Sequence, residues 1–247
     1  METCRCEAIL LGATDYREAD RIVTLFTLEQ GKLKGVARGA KRSLRRFGGA
    51  LEPFALLTVQ LALTGGLARI DGADAATIHP RIRADLLKIG YAGYACEAVD
   101  LLLPEGLPNP RLFRLLAAYL ERLDAAPPAP SDRRFFETNL LNILGYRPVL
   151  EECASCGAEL SDAQGGCRAG REGEVLCSRC GRGGRPVSMR TIGLLRQSLR
   201  TGRFGAVEFT AAGLSEAGNI LDPAIASHVS RPMKSLAFLR EMGDEVS

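Results

Sequence analysis

The pattern of apolar and polar positions changes character once, near residue 79, from strand-like alternation to helical spacing. Ala8 to Leu11 is a short apolar run, and Arg21-Ile22-Val23-Thr24-Leu25-Phe26-Thr27 alternates with β-branched and aromatic side chains, as a half-buried strand does. Glu29-Gln30-Gly31-Lys32 reads as a turn and Lys32 to Ala37 as a third strand. Phe54 to Leu63 and Leu67 to Ile78 flank Thr64-Gly65-Gly66, a hairpin signal. Five short strands in this span predict a small closed barrel of OB-fold size, and an SH3-like barrel fits the pattern nearly as well.

Beyond His79-Pro80 the apolar residues recur at helical spacing. Ile82, Leu86, Ile89, Tyr94, Ala98 and Leu102 predict a helix from Pro80 to Leu103, ended by Pro104. Asn109-Pro110 is a cap followed by proline at the first helical position, opening a helix to about Leu123. Asp124 to Pro130 reads as a linker, after which Ser131 is expected to cap a helix ended by Gly145. Ser188 is expected to cap another helix, to about Arg200, and Leu221 to Met242 reads as two short helices broken at Arg231-Pro232. The expectation is an α+β chain. An OB-fold barrel spans residues 1–79 and a helical domain spans 80–247, with a cysteine module inserted at about 150–186.

Cysteine spacing adds the first chemistry. Cys153-Ala154-Ser155-Cys156, twenty residues, then Cys177-Ser178-Arg179-Cys180 is a strong zinc-site spacing. Four thiolates complete a closed tetrahedral shell, which marks a structural Zn2+ rather than a catalytic one with an open position. Gly157 and Gly181 follow each pair, where a small residue lets the backbone curl. Cys167 is a fifth cysteine inside the module. Cys4 and Cys6 alternate on a strand and read as packing residues, although a second metal half-site or redox pair has the same spacing. Eight cysteines with metal-type spacing and no apolar leader point to a reducing cytoplasm. Apolar runs such as Leu101-Leu102-Leu103 are too short to span a membrane.

Charge adds the second. The net charge is only +3, but it is unevenly spread. Lys32, Lys34, Arg38, Lys41, Arg42, Arg45 and Arg46 fall in a stretch, residues 32–51, that contains no acid. Gly35, Gly39, Gly48 and Gly49 are expected to keep it mobile. On a barrel loop this run reads as a surface for a phosphate backbone. A second basic zone, residues 168–203, holds nine arginines, Arg196 and Arg200 among them, against Glu172 and Glu174. With few aromatics in the first eighty residues and no Trp, charge rather than base stacking would dominate binding. No phosphate-cradling Gly-rich loop is present, and neither His79 nor His228 has an acid-base partner beside it in sequence, so no enzymatic role is expected.

Three stretches together resemble the bacterial recombination mediator family RecO: Tyr16 to Thr27 with Gly31-Lys32; Val36-Ala37-Arg38-Gly39-Ala40-Lys41-Arg42 with Phe47, Leu51, Pro53 and Phe54; and His228 to Ser235. The resemblance implies binding of single- and double-stranded DNA, annealing of complementary strands, and loading of RecA together with RecR onto strands coated by single-stranded DNA-binding protein. It implies a cytoplasmic, nucleoid-associated protein that takes the acidic tail of that coating protein through an arginine at Arg133 or Arg134. Arg45-Arg46 departs from the family's more usual Ser-Arg before Phe47. Two other readings stay open on the residues alone: a zinc-ribbon interaction protein without annealing activity, and a zinc-dependent nucleic-acid enzyme.

Overall fold

The computed structural model of the chain describes residues 2–162 and 165–243. Five strands close a barrel: β1 (Glu2–Tyr16), β2 (Asp20–Thr27), β3 (Gly31–Ala37), β4 (Leu56–Leu63) and β5 (Ala68–Thr77), in the order β1-β2-β3-β5-β4. β1 closes the barrel on β4, and every neighbour is antiparallel except β3 and β5, parallel from Gly35↔Ala68 to Ala37↔Ile70. That strand order is the OB-fold's, which separates it from the SH3-like alternative. β1 extends well beyond its apolar run because it serves two neighbours. Its first half pairs with β4 and its second with β2, and a register shift between Leu10 and Gly12 bends it. A short helix, α1 (Leu44–Phe47), joins β3 to β4, and Phe47, Ala50 and Leu51 enter the barrel core with Leu10, Val23 and Leu57.

The chain divides into two compact units, Met1–Pro127 and Pro128–Ser247. In the first, the barrel is joined by α2 (Pro80–Arg83), α3 (Leu86–Leu102) and α4 (Pro110–Ala125). The single helix expected from Pro80 to Leu103 is broken by Asp85, whose carboxylate accepts from the N–H groups of Leu87 and Lys88 and so caps α3. Asn109 caps α4 as expected, accepting from Leu112 N–H at 3.0 Å. Asp124, on α4, accepts from the first N–H groups of α2, those of Arg81 and Ile82. α3 is buried on most sides, and Phe26, which faces away from the barrel interior, meets Phe113 of α4 edge to face at 5.5 Å.

The second unit holds α5 (Pro130–Leu144), a three-stranded sheet of β6 (Cys167–Ala169), β7 (Val175–Cys177) and β8 (Arg185–Val187), then α6 (Met189–Arg200), α7 (Ala211–Ala226) and α8 (Lys234–Glu241). The order in the sheet is β7-β6-β8. Gly145, at φ +82°, ends α5 as expected. Ser131 does not cap it. Its hydroxyl instead accepts from Phe209 N–H at 3.0 Å, tying α5 to the loop that leads into α7. Ser188 does cap α6, accepting from Thr191 N–H. α7 starts ten residues earlier than the sequence pattern indicates, with Thr210 as its cap and Pro223 inside it. No helix of the described residues is long and apolar enough to cross a membrane.

Candidate nucleic-acid interface and metal centre

The loop from β3 into α1 carries the first basic run. It is held to the β1–β2 hairpin: Gly39 N–H donates to the Asp20 carboxylate at 2.8 Å and Lys41 N–H to the Ala19 carbonyl at 3.0 Å. The mobility expected from its glycines is therefore restrained by a hairpin that is distant in sequence. Arg38, Lys41, Arg42, Arg45 and Arg46 are all exposed. Lys41 pairs with Asp15 at 2.6 Å and Arg42 with Glu18 at 3.1 Å, both acids coming from the same hairpin. The hydrogen bond from Lys41 holds the Asp15 carboxyl below its ordinary range. Arg38 and Arg45 meet no carboxylate among the described residues. Arg46 spans the loop instead, donating to the Arg38 carbonyl at 2.6 Å and lying over the Phe47 ring. Exposed, solvent-screened pairs like these contribute little, so a phosphate can displace the acid at little cost.

Lys34 joins this surface, exposed and 3.3 Å from Glu105. Lys32 does not. Although it shares a strand face with Lys34, it is covered by α3 and is 7% exposed, its ammonium 3.3 Å from the Asp100 carboxylate and bonded to the Asp100 carbonyl. It is a strut between β3 and α3, and it leaves the set of phosphate-contact candidates.

The two cysteine pairs converge in the second unit. The sulfurs of Cys153, Cys156, Cys177 and Cys180 all lie within 4.8 Å of one another, and Cys156 and Cys177 are 3.9 Å apart. A tetrahedron with metal–sulfur bonds of about 2.3 Å has edges of about 3.8 Å, so these four could hold a metal ion with a small contraction. Both turns are built alike: Gly157 N–H donates to the Cys153 carbonyl and Gly181 N–H to the Cys177 carbonyl, each at 2.9 Å. Gly157 needs its φ of +69°, whereas Gly181 is small because a Cβ there would fall 2.6 Å from Cβ of Arg168. Burial works against the Cys153 thiolate, but backbone hydrogen bonds from Cys177, Cys156 and Ser155 outweigh it and bring its pKa to about 6. Cys167 lies outside the group: it pairs with Cys177 across β6 and β7 and its thiol sits 3.2 Å from the Met189 sulfur.

The remaining candidates are mostly inside. Arg196 donates to the Leu150 carbonyl at 2.5 Å and braces α6 against the entry to the metal module, so it is no free surface cation. Arg200 is exposed, with no carboxylate partner among the described residues. Arg133 and Arg134 are each 1% exposed. Glu137, fully buried, takes Arg133 and Arg134 at 2.8 Å each, and Asp222 of α7 closes the cluster on Arg134. Gly218 makes room for this, since a Cβ there would lie 2.5 Å from an Arg134 nitrogen. Arg134 lines a cleft of about 670 Å³, together with Arg185, Leu214, Leu236 and Arg240.

Comparison with known proteins fits both units. Residues 1–79 match the family model described as recombination protein O N terminal, and residues 83–237 match recombination protein O C terminal. The chain belongs to the recombination protein O family. A DNA repair protein RecO from Geobacter sulfurreducens is 58% identical over 98% of this chain and 99% of its own length. One from Geobacter metallireducens is 59% identical over the same shares. A more distant RecO from Anaeromyxobacter dehalogenans is 38% identical over 98% of each chain.

Sequence reasoning missed the partners that these cations meet, Asp15 and Glu18 at the barrel loop, Asp100 beneath Lys32 and Asp222 across from Arg134, as well as Asp20, which holds the loop through Gly39 N–H. Alternation along β3 gave no signal for Lys32, since it puts Lys32 and Lys34 on one face, and the burial of Lys32 comes from α3. All of these groups meet only through the fold.

Proposed function

We propose that the chain is a non-enzymatic DNA repair and recombination mediator that binds single- and double-stranded DNA and anneals complementary strands. It acts in the cytoplasm beside the nucleoid, helping to load RecA, together with RecR, onto strands coated by single-stranded DNA-binding protein. The observation that carries this reading is the exposed loop of Arg38, Lys41, Arg42, Arg45 and Arg46, whose carboxylate partners among the described residues are themselves exposed. Complementary strands repel through their phosphates, and a surface that screens both lowers the barrier to their meeting. One structural Zn2+ held by Cys153, Cys156, Cys177 and Cys180 would order the loops between α5 and α6. The acidic tail of the coating protein would be taken in the cleft beside Arg134, with Arg185 and Arg240 facing its carboxylates and Leu214 and Leu236 its apolar residues.

The test is annealing of complementary oligonucleotides precoated with single-stranded DNA-binding protein, comparing the chain with Arg38, Arg42, Arg45 and Arg46 all changed to Gln. The variant should anneal at least tenfold more slowly and show a shallower salt dependence. Unchanged annealing by a folded variant would remove the barrel loop from the mechanism. DNA binding without any annealing in the unaltered chain would favour a bridging protein instead.

A further inference from the structure

The second basic zone holds a cleft that the proposed function does not use. It measures about 650 Å³ and lies between the β6–β7 turn, the turn that follows Cys180, and α7. Arg171 and Arg182 line it, Arg185 stands at its edge, and Asn219 and Pro223 of α7 form its far wall. All three arginines are exposed, and none has a carboxylate partner among the described residues. Arg185 is oriented by a neutral group, donating to the Asn219 side-chain oxygen at 2.7 Å, so its direction is fixed while its charge stays uncompensated.

Beside Ala169, Leu176 and Cys180, much of the remaining wall is glycine backbone, from Gly170, Gly181, Gly183 and Gly184. Packing explains three of them: a Cβ would fall 2.1 Å from the Glu174 carboxylate at Gly170, 2.6 Å from Arg168 at Gly181 and 2.7 Å from the Ala169 carbonyl at Gly184. Gly183 takes φ +82° in a tight turn. Whatever the reason for each, a ligand can approach the main chain closely at these glycines. The acids are few. Glu174 belongs to the lining, but its carboxylate is held by Glu172 N–H at 2.9 Å.

A bland account is that these arginines offset the metal centre, since four thiolates around a divalent ion carry a net charge of about −2. Nine arginines against Glu172 and Glu174 exceed that requirement by about five charges. No aromatic residue lines the cleft, so it offers bases nothing to stack on and offers phosphates guanidinium groups and open backbone. We propose that this arginine–glycine cleft is a second phosphodiester-binding site, which holds a nucleic-acid backbone without reading its sequence. It goes beyond the barrel-loop reading, gives one chain two places for strands, and does not depend on the first being correct.

The test uses the full-length, metal-loaded chain and a fluorescein-labelled oligothymidine, with a duplex of equal length as a second arm. Arg171→Gln with Arg182→Gln, which leaves the tail cleft's Arg185 in place, should make the single-strand salt slope shallower by about 1.4. Affinity would then fall about sevenfold less than it does in the unaltered chain as salt rises fourfold from 50 mM. Backbone hydrogen exchange across residues 181–184 of the unaltered chain should slow when the oligonucleotide is added, and should still slow when the barrel loop carries its four Gln substitutions. A stronger effect on one arm identifies the strand type. If the slope and the exchange are both unchanged, the inference fails, even where the barrel-loop variant loses binding and the first reading stands. If the cleft variant loses binding and the barrel variant does not, the first reading fails and this one stands. A cleft variant that loses affinity only for an acidic peptide also overturns it. Should the double variant lose its metal, the exchange measurement on the unaltered chain decides.

Discussion

Glu137 is a single residue on which a buried charge cluster depends, and Glu137→Ala tests that dependence. Its carboxylate is fully buried and accepts from both Arg133 and Arg134 at 2.8 Å, with each guanidinium 1% exposed. Removing it breaks two charge-assisted hydrogen bonds, worth about 1.5–3 kcal/mol each. It also leaves Asp222, a third of whose side chain is exposed, facing the two buried cations. Breaking a buried pair from one side costs about 3–5 kcal/mol, in line with that sum. For a unit of this size each kcal/mol moves the melting midpoint by roughly 3–5 °C, so the expected fall is roughly 10–20 °C. The assay is urea unfolding followed by hydrogen exchange of the α5 amides, which assigns the loss to the second unit. A loss below about 1 kcal/mol would refute the reasoning, because it would mean that water or another acid already shares the two guanidinium groups.

Cys153→Ser should lose the bound metal, about one zinc per chain by release assay, whereas Cys167→Ser should retain it, since Cys167 faces Met189 rather than the quartet. Lys32→Gln should cost about 1–3 kcal/mol of stability and leave the salt slope of DNA binding unchanged, because its ammonium is committed to Asp100. Glu216 is partly desolvated, but hydrogen bonds from Ser188 and Thr191 outweigh this and hold its pKa below the ordinary 4.5. A depressed acid contributes stability that is present above its unfolded value and lost as pH falls through the folded one. Acid unfolding of Glu216→Gln should therefore show a smaller stability loss below about pH 4.5 than the unaltered chain.

The barrel and the convergence of the four cysteines were legible in the sequence because both depend on local rules. Strand alternation and turn glycines mark β2 to β5, and two short cysteine turns are recognisable whatever lies between them. α7 was harder. Gly213, Gly218 and Pro223 weaken its helical signature, and Gly218 is there to let Arg134 pass, a reason that lies on another helix. The same limit applies to the charged sites. Counting cations found the basic loop, but only the fold brings Asp15 to Lys41, Asp100 to Lys32 and Glu137 and Asp222 to the two arginines of α5. A charge run in sequence states what is present, and burial decides which members of it can meet a ligand.

The start of β3 carries a consequence for any attempt to take the protein apart. A Cβ on Gly31 would lie 2.4 Å from the Leu107 carbonyl, Gly106 N–H donates to the Lys32 carbonyl at 2.8 Å, and Lys32 reaches Asp100. A truncation after residue 79 would thus strip a buried ammonium of its counter-charge and uncover Phe26 along with it. The excised barrel should be prone to aggregation, whereas a fragment ending after Ala125 keeps every one of these contacts. The smallest fragment of this chain that keeps these barrel contacts is the barrel together with the three helices that follow it.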